Sequence, residues 1–189
     1  MPVSRETLER YFPDVEAISR YADFLVGPGI ERGLIGPREG ERIWERHILN
    51  CLPITSLIPQ NATVIDVGSG AGLPGIVLKL ARPDLSVTLI EPLERRCDFL
   101  RESGVDVTIF RGRAEEFKGK ADVVTARAVA PLPKLVAMTR HLIKPGGALL
   151  AMKGASAEKE MESVPGARLH EISLEGLEPG RVVELRSRA

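Results

Sequence analysis

The chain has 189 residues, and its 26 basic and 26 acidic side chains give a formal net charge of zero at pH 7. This balance gives no general case for a nucleic-acid or membrane partner, so any basic surface must come from local clustering. Cys51 and Cys97 do not form a Cys-x-x-Cys pair, which predicts a reduced cytoplasmic protein without a metal site or disulfides. The charged N-terminus lacks a signal-peptide core, and no apolar run reaches membrane-spanning length. The length predicts one domain.

The first third of the chain has apolar residues at helical spacing. Residues 15–25 predict a helix with Asp14 as its N-cap, and Gly27-Pro28-Gly29 predict that this helix stops or bends. A second helix is predicted over residues 39–57, with Pro53 kinking or dividing it. This part of the sequence therefore predicts a helical extension that packs on the rest of the protein.

From residue 63 onward, short apolar strands alternate with helices. Strands are predicted at residues 64–67, 86–91, 105–110, 121–126 and 148–152. Helices are predicted at residues 73–80, 94–103 and 131–143, and a turn at residues 144–147. Alternating runs around residues 169–174 and 182–185 predict an antiparallel hairpin.

These elements together predict an α/β fold with a mostly parallel sheet of seven strands and helices on both faces. The hairpin at the C-terminal side closes the sheet. We expect residues 1–60 to form the helical extension and residues 61–189 to form the core, both within one domain.

A glycine-rich turn follows the first predicted strand, in the sequence T-V-I-D-V-G-S-G-A-G-L-P-G. A strand, a glycine turn and a helix in this order begin a Rossmann-like nucleotide-binding unit, where Gly68, Gly70 and Gly72 let a ligand approach the backbone. Leu73 stands where a dinucleotide site has its third glycine, and Asp66 would repel a pyrophosphate but suits an amino or sulfonium group. The turn therefore favours S-adenosylmethionine over NAD as the cofactor.

Acidic residues follow the second and third predicted strands, where ligands bind in open α/β sheets. Glu91 ends the second strand, and its carboxylate could accept hydrogen bonds from both ribose hydroxyls of a nucleoside. After the third strand, Glu115 could accept from an adenine amine, or the Ala114 backbone amide could donate to the ring. The alternatives are a solvated acid at residue 91 and a helix N-terminus stabilised by the acid at residue 115.

Two basic residues stand at the exits of the fourth and fifth predicted strands. Arg127 could hold the methionine carboxylate of the cofactor, bind an RNA phosphate or pair with a strand-end acid. Lys153 follows the fifth strand beside the predicted reaction site. We predict that both residues orient the substrate.

Other basic residues cluster locally, in positions that suit either RNA phosphates or a solvated helix face. They are Arg95, Arg96, Arg101, Arg111, Arg113, Lys118 and Lys120. In the segment W-E-R-H, Trp44 and His47 are interpreted as structural, and Arg46 is the residue expected to touch RNA. The chain has no N-P-P-[FYW] element and no Pro-Cys pair, which argues against adenine-amine and cytosine-C5 methylation.

The segments I-D-V-G-S-G-A-G-L-P-G, R-A-E-E, D-V-V-T-A-R-A and M-K-G, with W-E-R-H-I-L-N upstream, resemble the glucose-inhibited division protein B family over residues 44–154. Two departures concern the N-terminal part: residues 31–39 replace a W-N-x-x-x-N-L-T element, and Asn50 replaces an acid. These departures affect the expected RNA contacts more than the expected cofactor contacts.

The resemblance implies a class I methyltransferase that uses S-adenosylmethionine to modify N7 of a guanine in the 530 loop of 16S ribosomal RNA. The partner would be the 16S RNA or the 30S subunit, and a monomer is expected. By position, Gly68 and Leu73 would line the cofactor pocket, Ala114 and Glu115 would hold the adenine, and Arg127 would complete the site.

Guanine N7 carries an in-plane lone pair, so its methylation needs alignment and a dry pocket but no general base. We therefore predict no catalytic base. Three other functions stay open at this point. They are methylation of a protein or small molecule, non-catalytic binding of RNA or the ribosome, and NAD-dependent oxidation, which Leu73 and Asp66 disfavour.

Overall fold

A seven-stranded sheet forms the centre of the protein in a computed structural model that describes residues 3–188. The strands are β1 (Thr63–Val67), β2 (Ser86–Glu91), β3 (Thr108–Arg111), β4 (Ala121–Arg127), β5 (Ile143–Met152), β6 (Arg168–Ile172) and β7 (Gly180–Arg186). Their order across the sheet is β3-β2-β1-β4-β5-β7-β6. The first five strands pair in parallel, and β7 pairs antiparallel with both β5 and β6. The predicted mostly parallel sheet with a C-terminal hairpin is confirmed.

The strand order reverses between β1 and β4, which are neighbours in the sheet although β2 and β3 lie between them in sequence. In parallel α/β sheets, the crevice outside the carboxyl ends of such strands is the usual ligand site. Val67 of β1 is paired with Ala126 of β4, so the glycine turn and Arg127 leave the sheet side by side. This topology brings the predicted site residues to one edge.

Helices cover both faces of the sheet. They are α1 (Arg5–Tyr11), α2 (Val15–Phe24), α3 (Gly75–Ala81), α4 (Glu94–Glu102), α5 (Leu132–Thr139) and α6 (Ala157–Met161). The predicted N-cap of α2 is present, because an Asp14 carboxylate oxygen accepts a hydrogen bond from Ala17 N at 2.9 Å. Gly104 adopts φ +68° just beyond α4, a conformation that favours glycine and ends the helix as predicted.

The N-terminal helical region is more broken than the sequence suggested. After α2 the chain continues through Pro28 as a π-helical turn, Leu25–Gly29, so the helix changes form there and does not stop. The helix predicted over residues 39–57 is divided at Pro53 as expected, but the prediction of a regular helix on either side of that residue is wrong. Instead, short 3-10 and π-helical segments follow one another: Gly40–Arg42, Ile43–Ile48, Leu49–Cys51 and Pro53–Leu57. Pro53 opens the last segment because it lacks the N–H that a continuing α-helix requires.

Two strand boundaries also differ from the prediction. β3 begins at Thr108 and not at residue 105. Residues 144–147, predicted to be a turn, belong to β5, where they form a bulge between the Ala121–Ile143 and Val123–Ala148 pairs. The bulge is fixed by Lys144, whose Nζ lies 3.0 Å from Asp122 Oδ1. In such a bulge, several residues of one strand lie opposite one residue of its neighbour, and this arrangement leaves no signature in the hydrophobic periodicity of the sequence.

The two faces of the sheet have separate cores. One face packs against the N-terminal segments and α3 and α4, with Ile18, Ile48, Ile76 and Phe99 fully buried. The other face packs against α5 and α6, around Leu149 of β5. Full burial of a large aliphatic side chain contributes roughly 1.5–3 kcal/mol, so residues of the N-terminal segment stabilise the sheet directly. In the described part of the chain, no helix has the length and apolar character to cross a bilayer.

Candidate functional site

The glycine turn after β1 has a backbone that other residues would not adopt. Gly68, Gly70 and Gly72 have φ angles of +67°, +57° and +100°. A Cβ on Gly72 would lie 2.5 Å from Ile76 Cδ1 and 2.9 Å from the Tyr21 hydroxyl, so a side chain has no room there. A Cβ on Gly70 would have Gly68 O as its closest neighbour within the described chain, at 3.9 Å. The turn is therefore tight on its inner side and open at its middle glycine.

Asp66 of β1 is fully buried behind this turn. One carboxylate oxygen accepts a hydrogen bond from Gly75 N at 3.0 Å, and the other, Oδ1, has no hydrogen-bond partner among the described residues. Burial raises the pKa of Asp66 to about 7, although the Ser69 hydroxyl and the Gly75 amide favour the charged form. A carboxyl group with a free acceptor oxygen is thus fixed beneath the turn.

Glu91, the predicted ribose ligand, ends β2 beside the same turn. Its two carboxylate oxygens accept hydrogen bonds from Gly70 N and Leu93 N, both at 3.0 Å. Arg96 Nη1 lies 3.7 Å away, and the Glu91 side chain is only 1% exposed. Because a carboxylate has about four acceptor positions, two remain for a ligand. A ligand can use them only when the atoms that cover Glu91 move.

The residues predicted to hold an adenine lie in a short 3-10 helix, Ala114–Glu116, beyond β3. Ala114 is buried, whereas Glu115 is exposed. His141 lies beneath this helix, with Nε2 3.0 Å from the Ala114 carbonyl oxygen. Sequence reasoning gave His141 no role, because residues so far apart in sequence show no motif that links them. The Ala114 carbonyl is therefore engaged, and Glu115 faces solvent.

Arg127, at the end of β4, contacts the N-terminal helical region. Its Nη2 lies 2.8 Å from His47 Nδ1, while Nη1 lies 3.3 Å from the His47 carbonyl oxygen and 3.6 Å from Cys51 Sγ. His47 Nε2 in turn lies 2.8 Å from Glu39 Oε2. Burial, and to a smaller extent the Arg127 charge, lowers the pKa of His47, and burial raises the pKa of Cys51 to about 11. No partner for His47 was predicted, because Arg127 lies 80 residues away in the sequence.

Lys153, the other predicted substrate-orienting residue, is paired inside the protein. Its Nζ donates to the Ala130 carbonyl oxygen at 2.8 Å and to Glu160 Oε2 at 2.7 Å, and the side chain is 12% exposed. Glu160 Oε2 also accepts from Leu132 N at 2.6 Å. Lys153, with smaller effects from Ser156 and Leu132, lowers the pKa of Glu160 to about 2. Lys153 therefore ties the loop between β4 and α5 to the exit of β5.

That loop covers part of the glycine turn. Val129 Cγ2 lies 2.8 Å from the position that a Cβ on Gly68 would take. Ala128, directly after β4, has φ +54°, which is uncommon for a residue with a side chain. Val129 lies outside the motifs found in the sequence, so its position over the turn was not predicted.

A cavity of about 520 Å³ opens beside these residues, at the carboxyl ends of β4 and β5. Its lining includes Arg46, Asn50, Arg127, Lys153 and Arg181. A larger cavity of about 680 Å³ lies between α5 and the β5–β7 pair and contains none of the predicted site residues. The 520 Å³ cavity is the one that belongs to the site, because Arg127 and Lys153 at the ends of β4 and β5 line it.

Several of the remaining residues considered for RNA contact pack against the core or pair with acidic side chains. Trp44 is half-buried and packs against the core, while Arg46 is exposed and lies 3.3 Å from Glu39. Several basic residues of the predicted cluster pair with acids: Arg96 with Glu91, Arg101 with Asp98, and Arg111 with Glu94. Across residues 3–188, no group of three His, Cys, Asp or Glu side chains is arranged to hold a metal ion.

Comparisons with known proteins give the family. Residues 14–185 match the family described as rRNA small subunit methyltransferase G. The protein of that name from Thermobifida fusca is 58% identical over 150 residues, 76% of this chain and 63% of the relative. The one from Acidothermus cellulolyticus is 54% identical over 168 residues, 86% of this chain and 74% of the relative. The chain thus matches less than two thirds of the length of the first relative.

Solved structures agree on the fold. A TehB-like SAM-dependent methyltransferase from Corynebacterium glutamicum has a TM-score of 0.58 at 12% identity, covering 86% of this chain and 100% of that one. At this identity the likeness shows only that the two share the Rossmann-like fold of class I methyltransferases. The sequence match is what gives the closer relationship: this chain belongs to the rRNA small subunit methyltransferase G family.

Proposed function

We propose that this chain transfers the methyl group of S-adenosylmethionine to N7 of a guanine in the 530 loop of 16S ribosomal RNA. The observation that carries the proposal is the family match over residues 14–185. The glycine turn, two buried carboxyl groups and an arginine-lined cavity at the same sheet edge support it. The resemblance noted in the sequence supplies the guanine and its position.

The residues around the turn suit S-adenosylmethionine chemically. The open side of Gly70 allows a ligand to approach the backbone, and the unpaired oxygen of Asp66 offers an acceptor to a cationic group. Glu91 keeps free lone pairs for ribose hydroxyls. Ala114 and Glu115, beyond β3, would hold the adenine, and Gly68, Gly72 and Leu73 would form the remaining wall.

When bound, this cofactor supplies an electrophilic methyl group on a sulfonium centre. Guanine N7 needs no deprotonation before it accepts a methyl group, so the protein's contribution is alignment of the two reactants and exclusion of water. Arg127 would orient the ligands through its fixed guanidinium, and Lys153 would act through the loop that it holds. No general base is required in this scheme.

RNA would approach from the cavity side. Arg46, Arg127 and Arg181 line the cavity, and arginines that contact phosphates make binding sensitive to salt. We propose that the substrate is 16S RNA or the 30S subunit, that the protein acts as a cytoplasmic monomer, and that residues 1–60 form one domain with the core. Burial of N-terminal residues in the core of the sheet supports this last point.

The test is incubation of purified 30S subunits, and separately of naked 16S RNA, with the chain and methyl-labelled S-adenosylmethionine. The modified base is then mapped. Label at N7 of a guanine in the 530 loop is the expected result. Label in ribosomal protein, or in a base other than guanine, would contradict the proposal.

Two variants make the test specific to the site. Arg127→Ala should lower methyl transfer by at least about tenfold, since it removes an orienting group beside the turn. Arg140→Ala removes the same charge from an exposed position at the C-terminal end of α5 and should not lower methyl transfer. Calorimetry with S-adenosylmethionine shows whether loss of activity in Arg127→Ala comes from weaker cofactor binding. Equal loss in both variants would show that Arg127 has no special role.

A further inference from the structure

The guanidinium of Arg127 is held by a chain of hydrogen bonds that begins in the N-terminal helical region. Glu39 Oε2 is 2.8 Å from His47 Nε2, and His47 Nδ1 is 2.8 Å from Arg127 Nη2. A second contact joins Arg127 Nη1 to the His47 carbonyl oxygen at 3.3 Å. Both ring nitrogens of His47 are therefore engaged, one toward an acid and one toward a cation.

These partners require one protonation state of the imidazole. Arginine is always charged and has only N–H donors, so His47 Nδ1 must accept from Arg127. Glu39 is an acceptor, so His47 Nε2 must carry the proton. His47 is thus neutral with its hydrogen on Nε2. A proton on Nδ1 would set two donors against each other and break the contact with Arg127.

The charges around His47 act in opposite directions. Burial has the largest effect on the pKa of His47 and lowers it; the Glu39 carboxylate raises this pKa, and the cations Arg127 and Arg46 lower it. Cys51 also packs here, donates its thiol to the His47 carbonyl oxygen and is kept protonated by burial. The buried Asp66 and Tyr21 lie within the electrostatic reach of Arg127 as well. The balance favours the neutral ring down to a pH below its ordinary pKa of 6.5.

The contacts leave part of the guanidinium free. Of five N–H groups, Nη1 directs two to the His47 carbonyl and Cys51 Sγ, and Nη2 directs one to His47 Nδ1. Within the described chain, Nε–H and one Nη2–H remain for a ligand in the cavity that Arg127 lines. Because a guanidinium is planar, fixing three of its N–H groups also fixes the direction of the other two.

We propose that His47 is a positioning residue for methyl transfer: held by Glu39 and neutral, it fixes the Arg127 guanidinium toward the cavity at the carboxyl ends of β4 and β5. This inference rests on the proposed function. It assigns the N-terminal segment a part in the reaction, since protonation of His47 or loss of its ring releases Arg127 without touching the glycine turn.

The experiment measures methyl transfer to 30S subunits between pH 5 and pH 8.5 for the wild type and three variants. Glutamine at His47 keeps a donor for Glu39 but has no acceptor in the position of Nδ1. His47→Gln should lower kcat by about 10- to 100-fold and change the cofactor Kd by less than about twofold. It should also lose the part of the acid limb that comes from His47 and lies below the pKa of that residue; the titration of Asp66, whose pKa is raised to about 7, is common to both proteins and remains.

Glu39→Gln tests the next link. It keeps an acceptor for His47 Nε2 but removes the carboxylate that raises the pKa of His47, so the acid limb should move to lower pH. Glu41→Gln is the matched control, because Glu41 is exposed, lies two residues away and loses the same charge. An acid limb that is unchanged in His47→Gln, or that moves equally in both glutamate variants, would overturn the proposal.

A readout without RNA separates this inference from the proposed function. Nitrogen-15 NMR of labelled histidine should show His47 as the Nε2–H tautomer, assigned by its loss in His47→Gln among the three histidines of the chain. Arg127→Ala should raise the pKa of His47, because a neighbouring cation is removed. An Nδ1–H tautomer would refute the inference. These signals without any methylation of ribosomal RNA would refute the proposed function alone.

Discussion

Replacement of Asp66 by asparagine isolates the cost of burying a carboxyl group beneath the glycine turn. Asp66 is fully buried, and burial raises its pKa from 3.8 to about 7. At about 1.4 kcal/mol per pKa unit, this difference corresponds to about 4 kcal/mol. The folded state binds the proton more tightly than the unfolded chain, so stability falls as pH rises from 3.8 to about 7. Above that range the full cost is present.

Asparagine does not titrate, so the Asp66→Asn variant lacks this pH dependence. Its amide oxygen can still accept from Gly75 N. Its NH₂ group would stand where Oδ1 has no partner among the described residues, which costs about 1–3 kcal/mol at every pH. The change with pH of the difference in free energy of unfolding between variant and wild type therefore reports the buried carboxyl group alone, because the cost of the unpaired amide does not vary with pH. The variant should gain about 2.5 kcal/mol relative to the wild type between pH 5 and pH 8.

Urea unfolding at pH 5, 6, 7 and 8 measures this gain as the difference between the free energies of unfolding of variant and wild type. All other titrating groups are common to both proteins and cancel. Asp23→Asn, at an exposed position on α2, is the matched control for the loss of one carboxylate. Parallel curves for Asp66→Asn and the wild type would refute the reasoning, because they would mean that the buried carboxyl titrates as it does in the unfolded chain.

Three further changes test other parts of the site. Glu91→Ala should weaken S-adenosylmethionine binding at least about tenfold in calorimetry and lower stability by about 1–3 kcal/mol, since two backbone amides lose their acceptor; unchanged affinity would remove the ribose assignment. Gly72→Ala should lower the free energy of unfolding by at least about 1 kcal/mol, because the new methyl group meets Ile76 at a positive φ; a neutral result in urea unfolding would contradict the packing. Glu160→Ala should slow methyl transfer more than Lys153→Ala does, since it removes the partner of both the Lys153 ammonium and the first backbone amide of α5; equal rates of methyl transfer would contradict this.

Much of the fold could be predicted from the sequence, because its signals are local. Apolar runs with β-branched residues marked the strands, and glycines or prolines marked their ends. The seven-stranded sheet and its hairpin follow from that pattern. In residues 39–57 the apolar positions are buried as expected. The predicted helix is nevertheless not regular, because the backbone changes between 3-10 and π-helical form along this segment. Periodicity reports which face is buried and not the hydrogen-bond pattern beneath it.

The residues of the candidate site could be predicted from the sequence, but the side chains and backbone groups that they contact could not. Strand ends identified Glu91, Arg127 and Lys153, because parallel strands bring their carboxyl ends together. The partners of these residues were not predictable. Arg127 meets His47 across 80 residues of sequence, and Lys153 is neutralised by Glu160 although free lysines and paired lysines look alike in a sequence. Glu91 is covered by the turn that it was expected to serve.

The position of β7 has a consequence for synthesis. β6 is synthesised before β7, but in the sheet it pairs only with β7. β6 therefore cannot join the sheet until β7 is paired with β5. Until the ribosome has released Arg186, the growing chain carries a bare edge of β5 and an unattached strand. Exposed edges of this kind pair readily with other chains. A chain that ends before Gly180 would therefore leave the edge of β5 and the strand β6 unpaired permanently. Such a chain should aggregate even though every residue of the glycine turn is present.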